Sequence, residues 1–385
     1  MKNFLNKIPG SFRRQVNVAL LCRRYPLSKR FIIARDYYRL CREKGLTAEE
    51  YYDFEFDRQT DEFRESFLGL NEQRFYLDYL NPKKFYILAR NKYLAHRTLE
   101  HAGIRKSQLY CYYDPEGSYP GSDDMAGDLA SLHAILLAKG VRSCVIKGTE
   151  SSHGDNVFVV ESINYTDDDA ELKLFDGQVK WLSEVIGVKP LVFEEVIRQT
   201  EQLSALNASS VNTVRFMTAL YPDGSARVIG CFIKIGLAGK CIDNAGAGGN
   251  VDACVDVQTG QVKYAVRFDG WRKVHEIEKH PDSGMQINGM VINNWESIRE
   301  EVVGFQKAFP FIKAAGWDIA ITDEGPVVVE VNDFWDRTGQ FFIRRGWRNE
   351  IRDCYQAWKE TGARYVFGRK LNDLSLHQLN SIVEK

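Results

Sequence analysis

The chain has 385 residues, of which 44 % are hydrophobic, 27 % charged and 12 % aromatic, and its formal net charge is −1. That length calls for two or three packed units, since single cores seldom grow beyond about 250–300 residues, and the apolar content excludes disorder as the main state. The longest purely apolar runs, such as Ala134–Ala138, fall far short of the roughly 20 residues of a bilayer helix, and the even charge argues against a chain built throughout to grip nucleic acid.

The charge is not evenly spread. Residues 1–45 carry twelve Lys and Arg against Asp36 and Glu43, a local net of +10. Val16–Cys22, between two arginine pairs, is too short for a secretory core, and no small residue precedes Cys22 to mimic a lipoprotein cleavage site. A basic amphipathic helix is expected instead, read either as a solvated face or as a surface that meets anionic lipid or a lipid-linked substrate. Residues 1–75 as a whole read as a helical extension, basic and then acidic (Glu49, Glu50, Asp53, Glu55, Asp57, Asp61, Glu62, Glu65), with Tyr51, Phe54, Phe56, Phe63 and Phe67 as a packing face.

After Asn81-Pro82 the run Phe85–Leu88 reads as a strand, and Asn91 as the cap of a helix that buries Leu94, Ala95, Leu99 and Ala102 and ends at Gly103. His96 and His101 lack metal-type spacing and are expected on that helix's surface. A helix over 127–139 precedes a strand over 143–147. Strands are then expected at Val157–Val160, Leu191–Glu195, Val214–Leu220, Ala226–Ile235, Val262–Phe268 and across Trp317–Val331, with a helix near 295–309. Hairpins outnumber crossovers, which makes the class α+β or mixed α/β. Eight cysteines without a Cys-x-x-Cys pair suit reduced thiols in a cytosolic protein better than a disulfide frame or a zinc site.

The most informative stretch is Gly316–Asn332. Asp323-Glu324-Gly325-Pro326 is a strong turn signal between two alternating runs. Strand period then puts Ile319, Ile321, Val327, Val329 and Val331 on a core face, and Asp318, Ala320, Thr322, Val328, Glu330 and Asn332 on the other. Positions 318 and 330 are symmetric about 324, so their carboxylates should meet across the ladder and repel unless a cation joins them. With the amide oxygen of Asn332 they form an oxygen set suited to Mg²⁺.

Two further stretches complete the pattern. Lys147 ends a strand, a loop Gly148-Thr-Glu-Ser-Ser-His-Gly154 follows, and Asn156–Val160 returns, a hairpin flap whose backbone N–H groups and lysine could fold over phosphates. It is not a Walker loop, and Gly246–Gly249 is not a dinucleotide fingerprint. Leu191–Ile197 is an apolar strand ending in carboxylates, able to border an adenine, with Glu201 within reach of ribose hydroxyls.

In this order, the pieces resemble the ATP-grasp superfamily, and more closely its sugar-transfer-associated family, through Ser210–Thr218, Asp243–Gly249, His280–Gly284 and Gly316–Asn332. The resemblance covers roughly residues 80–345. It implies an α+β ATP-grasp fold, two α+β subdomains gripping ATP, behind the N-terminal helical extension. The implied divisions are 1–75, a pre-ATP-grasp region 76–140, a lysine-flap subdomain 141–200, a metal-binding subdomain 201–360 and a helical tail 361–385.

The resemblance also implies residue roles. Asp318, Glu330 and Asn332 match magnesium ligands (Mn²⁺ being a substitute). Lys147, and secondarily Lys92, match phosphate-binding lysines. Glu194 with the backbone of Val196 and Ile197 matches the adenine-reading strand, and Glu201 the ribose contact. Arg215 and Lys234 match cations facing the γ-phosphate, and Asn244 a loop near the reacting centre. His280 belongs to a family motif. After Asn332 the chain reads Asp-Phe-Trp-Asp-Arg-Thr-Gly in place of the usual Asn-x-x-Pro-Gly, and no proline follows Lys147.

The expected chemistry is an ATP-dependent ligation of a carboxylate to an amine through an acylphosphate, on a sugar-containing substrate of surface-polysaccharide synthesis. A kinase of a sugar or lipid hydroxyl and a nucleotide-binding scaffold for glycosyltransferases are the alternatives. The expected location is cytoplasmic, with a peripheral contact to an anionic membrane or to glycosyltransferases through residues 1–45.

Overall fold

The computed structural model describes residues 10–150, 157–240, 250–270, 272–362, 365–366 and 369–370. The chain divides into two compact units, one made of Met1–Leu80, Gly270–Val274 and Asp336–Lys385, the other of Asn81–Asp269 and His275–Trp335.

The first unit is mostly helical. Its helices include Gly10–Cys22, Arg30–Lys44, Ala48–Asp53, Leu70–Leu80 and Arg348–Glu360. Arg30–Lys44 buries Ile33, Tyr37, Leu40 and Lys44, one stripe at helical spacing. That stripe packs into an aromatic core with Tyr51, Phe54, Phe56, Phe63 and Phe67. Thr47 and Glu50 form a capping box at the start of Ala48–Asp53, and the buried Glu50 is neutralised by Arg337. Where a helical tail is expected, Tyr365–Val366 and Arg369–Lys370 pair as two short antiparallel strands; residues 371–385 lie outside the described residues.

The second unit holds two seven-stranded sheets. We number its strands β1 Leu109–Tyr113, β2 Met125–Ala126, β3 Cys144–Gly148, β4 Val157–Tyr165, β5 Ala170–Leu174, β6 Val179–Trp181, β7 Leu191–Glu194, β8 Thr213–Leu220, β9 Ala226–Ile235, β10 Val251–Val255, β11 Val262–Phe268, β12 Val274–Ile277, β13 Ala314–Thr322 and β14 Gly325–Asn332. The first sheet runs β2-β1-β7-β3-β4-β5-β6 and the second β12-β11-β10-β9-β8-β13-β14. Leu132 and Leu136 of the helix Leu129–Ala138 join Cys144, Ile146, Val160, Leu172 and Phe193 in the first sheet's core. The second core gathers Val214, Phe216, Ile233, Val251, Trp317, Ile319 and Val328 with Ile298, Val302 and Phe305 of the helix Trp295–Ala308. Two α+β halves of this kind are the ATP-grasp arrangement that the sequence implies.

Phe85–Leu88 is not a strand. Lys83–Phe85 is a 3₁₀ turn and Ile87–Arg90 a short helix, because Pro82 fixes an extended entry and the run is too short for period to separate strand from helix. Asn91 does cap the helix Lys92–His101, accepting from the Leu94 N–H at 3.1 Å, and Gly103 follows it at φ 68°. Strands β1, β2, β5, β6, β10 and β12 are additions to the elements expected from sequence.

The hairpin β13–β14 pairs Asp318 with Glu330 as expected, but through a bulge: from the turn the register runs Thr322 with Gly325 to Ile319 with Val328, which alone would set Asp318 opposite Val329. Val329 is the extra residue. The faces of β14 therefore change. Val328 is in the core, Val329 lines a cleft beside Glu330, and Val327, paired with Ala320, is buried as well.

Candidate active site

A cleft of about 560 Å³ opens in the second unit, lined by residues from β3, β4, β7, β9, β13 and β14. Its apolar walls include Val145, Val157, Val159, Phe175, Val211 and Val329; Lys92, Lys147, Glu194, Lys234, Asp318 and Glu330 supply charge. Residues scattered from 92 to 330 in the chain are thus brought to one place.

The first charged cluster centres on Glu194, the last residue of β7, a strand buried along its whole length. A carboxylate there requires partners. Lys147 Nζ lies 2.8 Å from its Oε2, His96 Nε2 lies 3.0 Å from its Oε1, and the Ser107 hydroxyl donates to Oε2 at 3.3 Å. Burial pushes the Glu194 carboxyl up, but Lys147 and His96 outweigh it and hold the group well below the usual carboxylate range. Glu194 is thereby occupied as the counter-ion of Lys147, and the backbone beyond it at Val196 and Ile197 remains along the cleft wall.

His96 is not on the helix surface as expected. It is 7 % exposed and shares the inward side of Lys92–His101 with Lys92, four residues earlier. That i, i+4 relation was available in the sequence; its partner Glu194, 98 residues downstream, was not. Burial lowers the Lys92 ammonium, Glu330 opposes the shift and Lys147 adds to it. Lys92 Nζ stands 4.0 Å from Glu330 Oε1.

The second cluster centres on Asp318. Cross-strand pairing sets Arg215 of β8 on one side of it and Glu330 on the other. Arg215 grips the carboxylate with two parallel bonds, Nε to Oδ1 at 2.5 Å and Nη2 to Oδ2 at 2.7 Å. Lys234 of β9 adds a contact to Oδ1 at 3.1 Å. Burial would raise the Asp318 carboxyl; Arg215 and then Lys234 hold it well below its ordinary value. Glu330 is different, with 39 % of its side chain exposed. Asn332 Nδ2 lies 3.5 Å from the Gly316 carbonyl, so its amide oxygen is the atom it can offer a cation.

Donor chemistry tests the expected metal set. Glu330 presents a half-exposed carboxylate, Asn332 an amide oxygen, and Asp318 Oδ2 has accepted from Arg215 with one of its two lone pairs. Hard oxygen donors in this number fit a Mg²⁺ that keeps waters and phosphate oxygens as its other ligands. Among the described residues no group of three or more His, Cys, Asp or Glu could hold a metal, so the site depends on the amide as its third donor.

The remaining expectations divide. Glu201 begins the short helix Glu201–Ser204 and lies outside the cleft, in a separate depression with Asp323 and Glu324. Asn244, and residues 151–156 of the flap, fall outside the described residues. His280 is buried; its Nε2 lies 2.9 Å from the Gly236 carbonyl and its Nδ1 accepts from the Asp282 and Ser283 N–H groups at 3.4 and 3.3 Å. It thus ties the turn after residue 280 to the chain just past β9, two residues from Lys234.

The divergent loop after Asn332 is also fastened. Arg90 grips Asp333 with bonds of 2.9 and 2.8 Å, and the buried Asn81 amide donates to the carbonyls of Ala314 and Asp333. Trp335, 1 % exposed, lies over Gly316, where an added Cβ would sit 3.1 Å from the tryptophan Cβ and 3.7 Å from Arg215 Cδ.

A family model described as sugar-transfer associated ATP-grasp matches residues 71–354. Comparison with curated proteins gives no match. Similar solved structures include D-alanine–D-alanine ligase from Bacillus anthracis, at 11 % identity and a TM-score of 0.36, covering 71 % of this chain and 68 % of that one. N5-carboxyaminoimidazole ribonucleotide synthetase from Thermotoga maritima is similar at 11 % identity and 0.37, covering 72 % and 52 %. Biotin carboxylase from Campylobacter jejuni is similar at 10 % and 0.40, covering 74 % and 48 %. The chain thus spans about half the length of the latter two.

Proposed function

The chain belongs to the sugar-transfer associated ATP-grasp family, and from that premise we propose that it is an ATP-dependent ligase that joins a carboxylate to an amine through an acylphosphate. The observation that carries this reading is the doubly clasped Asp318, in ladder register with Glu330 and facing the same cleft as Lys147.

In this reading the flat apolar slot between Val145, Val159 and Val329 takes the adenine ring, and the backbone of Glu195–Ile197 meets its polar edge. Lys147 and Lys92 face the phosphates. A substrate carboxylate oxygen attacks the γ-phosphorus, the bond to the bridging oxygen breaks, and ADP leaves. An amine nitrogen then attacks the acyl carbon, and inorganic phosphate departs.

Both partners of the first step are anions, so the barrier is largely electrostatic. Arg215 and Lys234 are already desolvated and fixed by Asp318, and developing charge on the transferring group meets cations that need little reorganisation. Asp318, Glu330 and Asn332 would hold a Mg²⁺, which when bound neutralises phosphate oxygens. A sugar-containing acid or amine is the substrate class that the family's description favours.

Mass spectrometry of products from Mg-ATP with uronic acids, amino sugars and amino acids tests the proposal. An amide together with ADP is the expected result. A phosphorylated hydroxyl compound would make the protein a kinase, and nucleotide binding without turnover for any acceptor would make it a scaffold.

A further inference from the structure

In the first unit, three large apolar side chains stand in solvent at one corner: Leu27 on a 3₁₀ turn is 80 % exposed, and Phe31 and Ile32 in the first turn of Arg30–Lys44 are 79 % and 67 % exposed. Single exposed apolar residues are common, but three so close along the chain, two of them on a helix whose opposite stripe already fills a core, are not explained by packing. Ile33, Tyr37 and Leu40 face that core, so the protruding side chains serve nothing inside their own unit.

From Arg23 to Arg42 their exposed charged neighbours along the chain are all basic, and the first exposed acid is Glu43, just beyond. Arg23, Arg24, Lys29, Arg35, Arg39 and Arg42 all stand in solvent around them. Asp36, the acid within this span, is taken up by Arg64 at 2.6 Å, the Tyr51 hydroxyl at 2.7 Å and, on its outer side, Arg39 at 3.2 Å. Asp57 and Asp61 border the adjoining depression; Asp57 accepts from the Tyr25 hydroxyl at 3.1 Å, and Asp61 is exposed, so the cations keep a clear excess. Apolar tips ringed by cations match the cross-section of an anionic bilayer: hydrocarbon within, phosphate at the rim.

We propose that this corner docks on an anionic lipid surface, with Leu27, Phe31 and Ile32 entering the interface and the surrounding arginines and lysine meeting headgroup phosphates. Residues 1–45 carry a net +10, so the attraction extends beyond the contact itself, and each basic residue near such a surface raises partitioning about fivefold. Docking of this kind is independent of which reaction the cleft performs.

The test uses the full-length chain and vesicles of phosphatidylcholine with or without 30 mol % phosphatidylglycerol as the probe. Sedimentation with the anionic vesicles should exceed that with neutral ones at least tenfold and should fall steeply as salt is raised from about 50 to 500 mM. L27A/F31A/I32A should weaken it tenfold or more with an unchanged circular dichroism spectrum. In Phe31→Trp, the emission of the introduced indole should shift to the blue on binding and be quenched by brominated lipid. Equal binding by the triple variant, or no quenching of the introduced indole, overturns insertion. A dimer in sedimentation velocity that the triple variant abolishes would assign the corner to a second copy instead and likewise overturn it.

Discussion

Asp318 and Glu330 face each other across the β13–β14 ladder, yet they live in opposite electrostatic worlds. Asp318 is buried and clasped by Arg215 and Lys234, whereas Glu330 is more than a third exposed with Lys92 4.0 Å away. One carboxylate therefore organises protein cations, and its neighbour is left to meet whatever enters the cleft. The two should respond differently to neutralisation.

Asp318→Asn removes the carboxylate that clasps Arg215 and Lys234 in a buried place. Removing one member of such a cluster costs about 3–5 kcal/mol. Urea denaturation should show the loss in the absence of any nucleotide, and a change under about 1 kcal/mol would mean that Asp318 is not what balances the two cations.

Glu330→Gln should behave in the reverse way. Its exposure predicts a stability change within about 1 kcal/mol, while binding of Mg-ATP, followed by calorimetry, should weaken tenfold or more. Binding at unaltered strength would remove Glu330 from the proposed metal set.

Acid should act through the two buried carboxylates. Glu194 and Asp318 have folded-state pKa values held well below their unfolded values of about 4. Their stabilisation is complete above that unfolded value and is lost as pH falls through the lower, folded one. Each contributes a slope of about 1.4 kcal/mol per pH unit within that window. Denaturation midpoints measured from pH 7 down to pH 3 should stay level to about pH 5 and then fall, and Glu194→Gln should flatten the fall by about one proton.

The bulge in β14 assigns neighbouring valines to different environments. Val328→Asn puts an amide into the core beside Ile319 and should cost about 3 kcal/mol or more. Val329→Asn, at the cleft wall, should cost less than about 1.5 kcal/mol and instead weaken nucleotide binding. The opposite ranking in thermal melts would restore the unbulged register.

Much of this site was written locally. The Asp323–Pro326 turn fixes where the hairpin reverses, but counting outward from the Thr322–Gly325 pair would set Asp318 opposite Val329, and only the bulge brings it opposite Glu330. The bulge was not countable, since both registers satisfy the same alternation until the second core selects Val328 for burial. That Glu194 is the counter-ion of Lys147 was not legible, because its partners Lys147 and His96 come from β3 and a distant helix. His96 was misread for the same reason: burial of a polar side chain is decided by what faces it. Glu201 was assigned by its distance along the chain, and the turn into Glu201–Ser204 carries it out of the cleft. Phe85–Leu88 shows the limit of four apolar residues, which suit either period.

Gly316 contributes no functional group, and nothing in its own chemistry would draw a mutational scan to it. Yet an alanine there must push Trp335 aside by a few tenths of an ångström, while meeting the methylene stem of Arg215 at ordinary contact distance. Substitution at this silent-looking position would therefore register first in the seating of Trp335, the residue packed over the strand that carries Asp318.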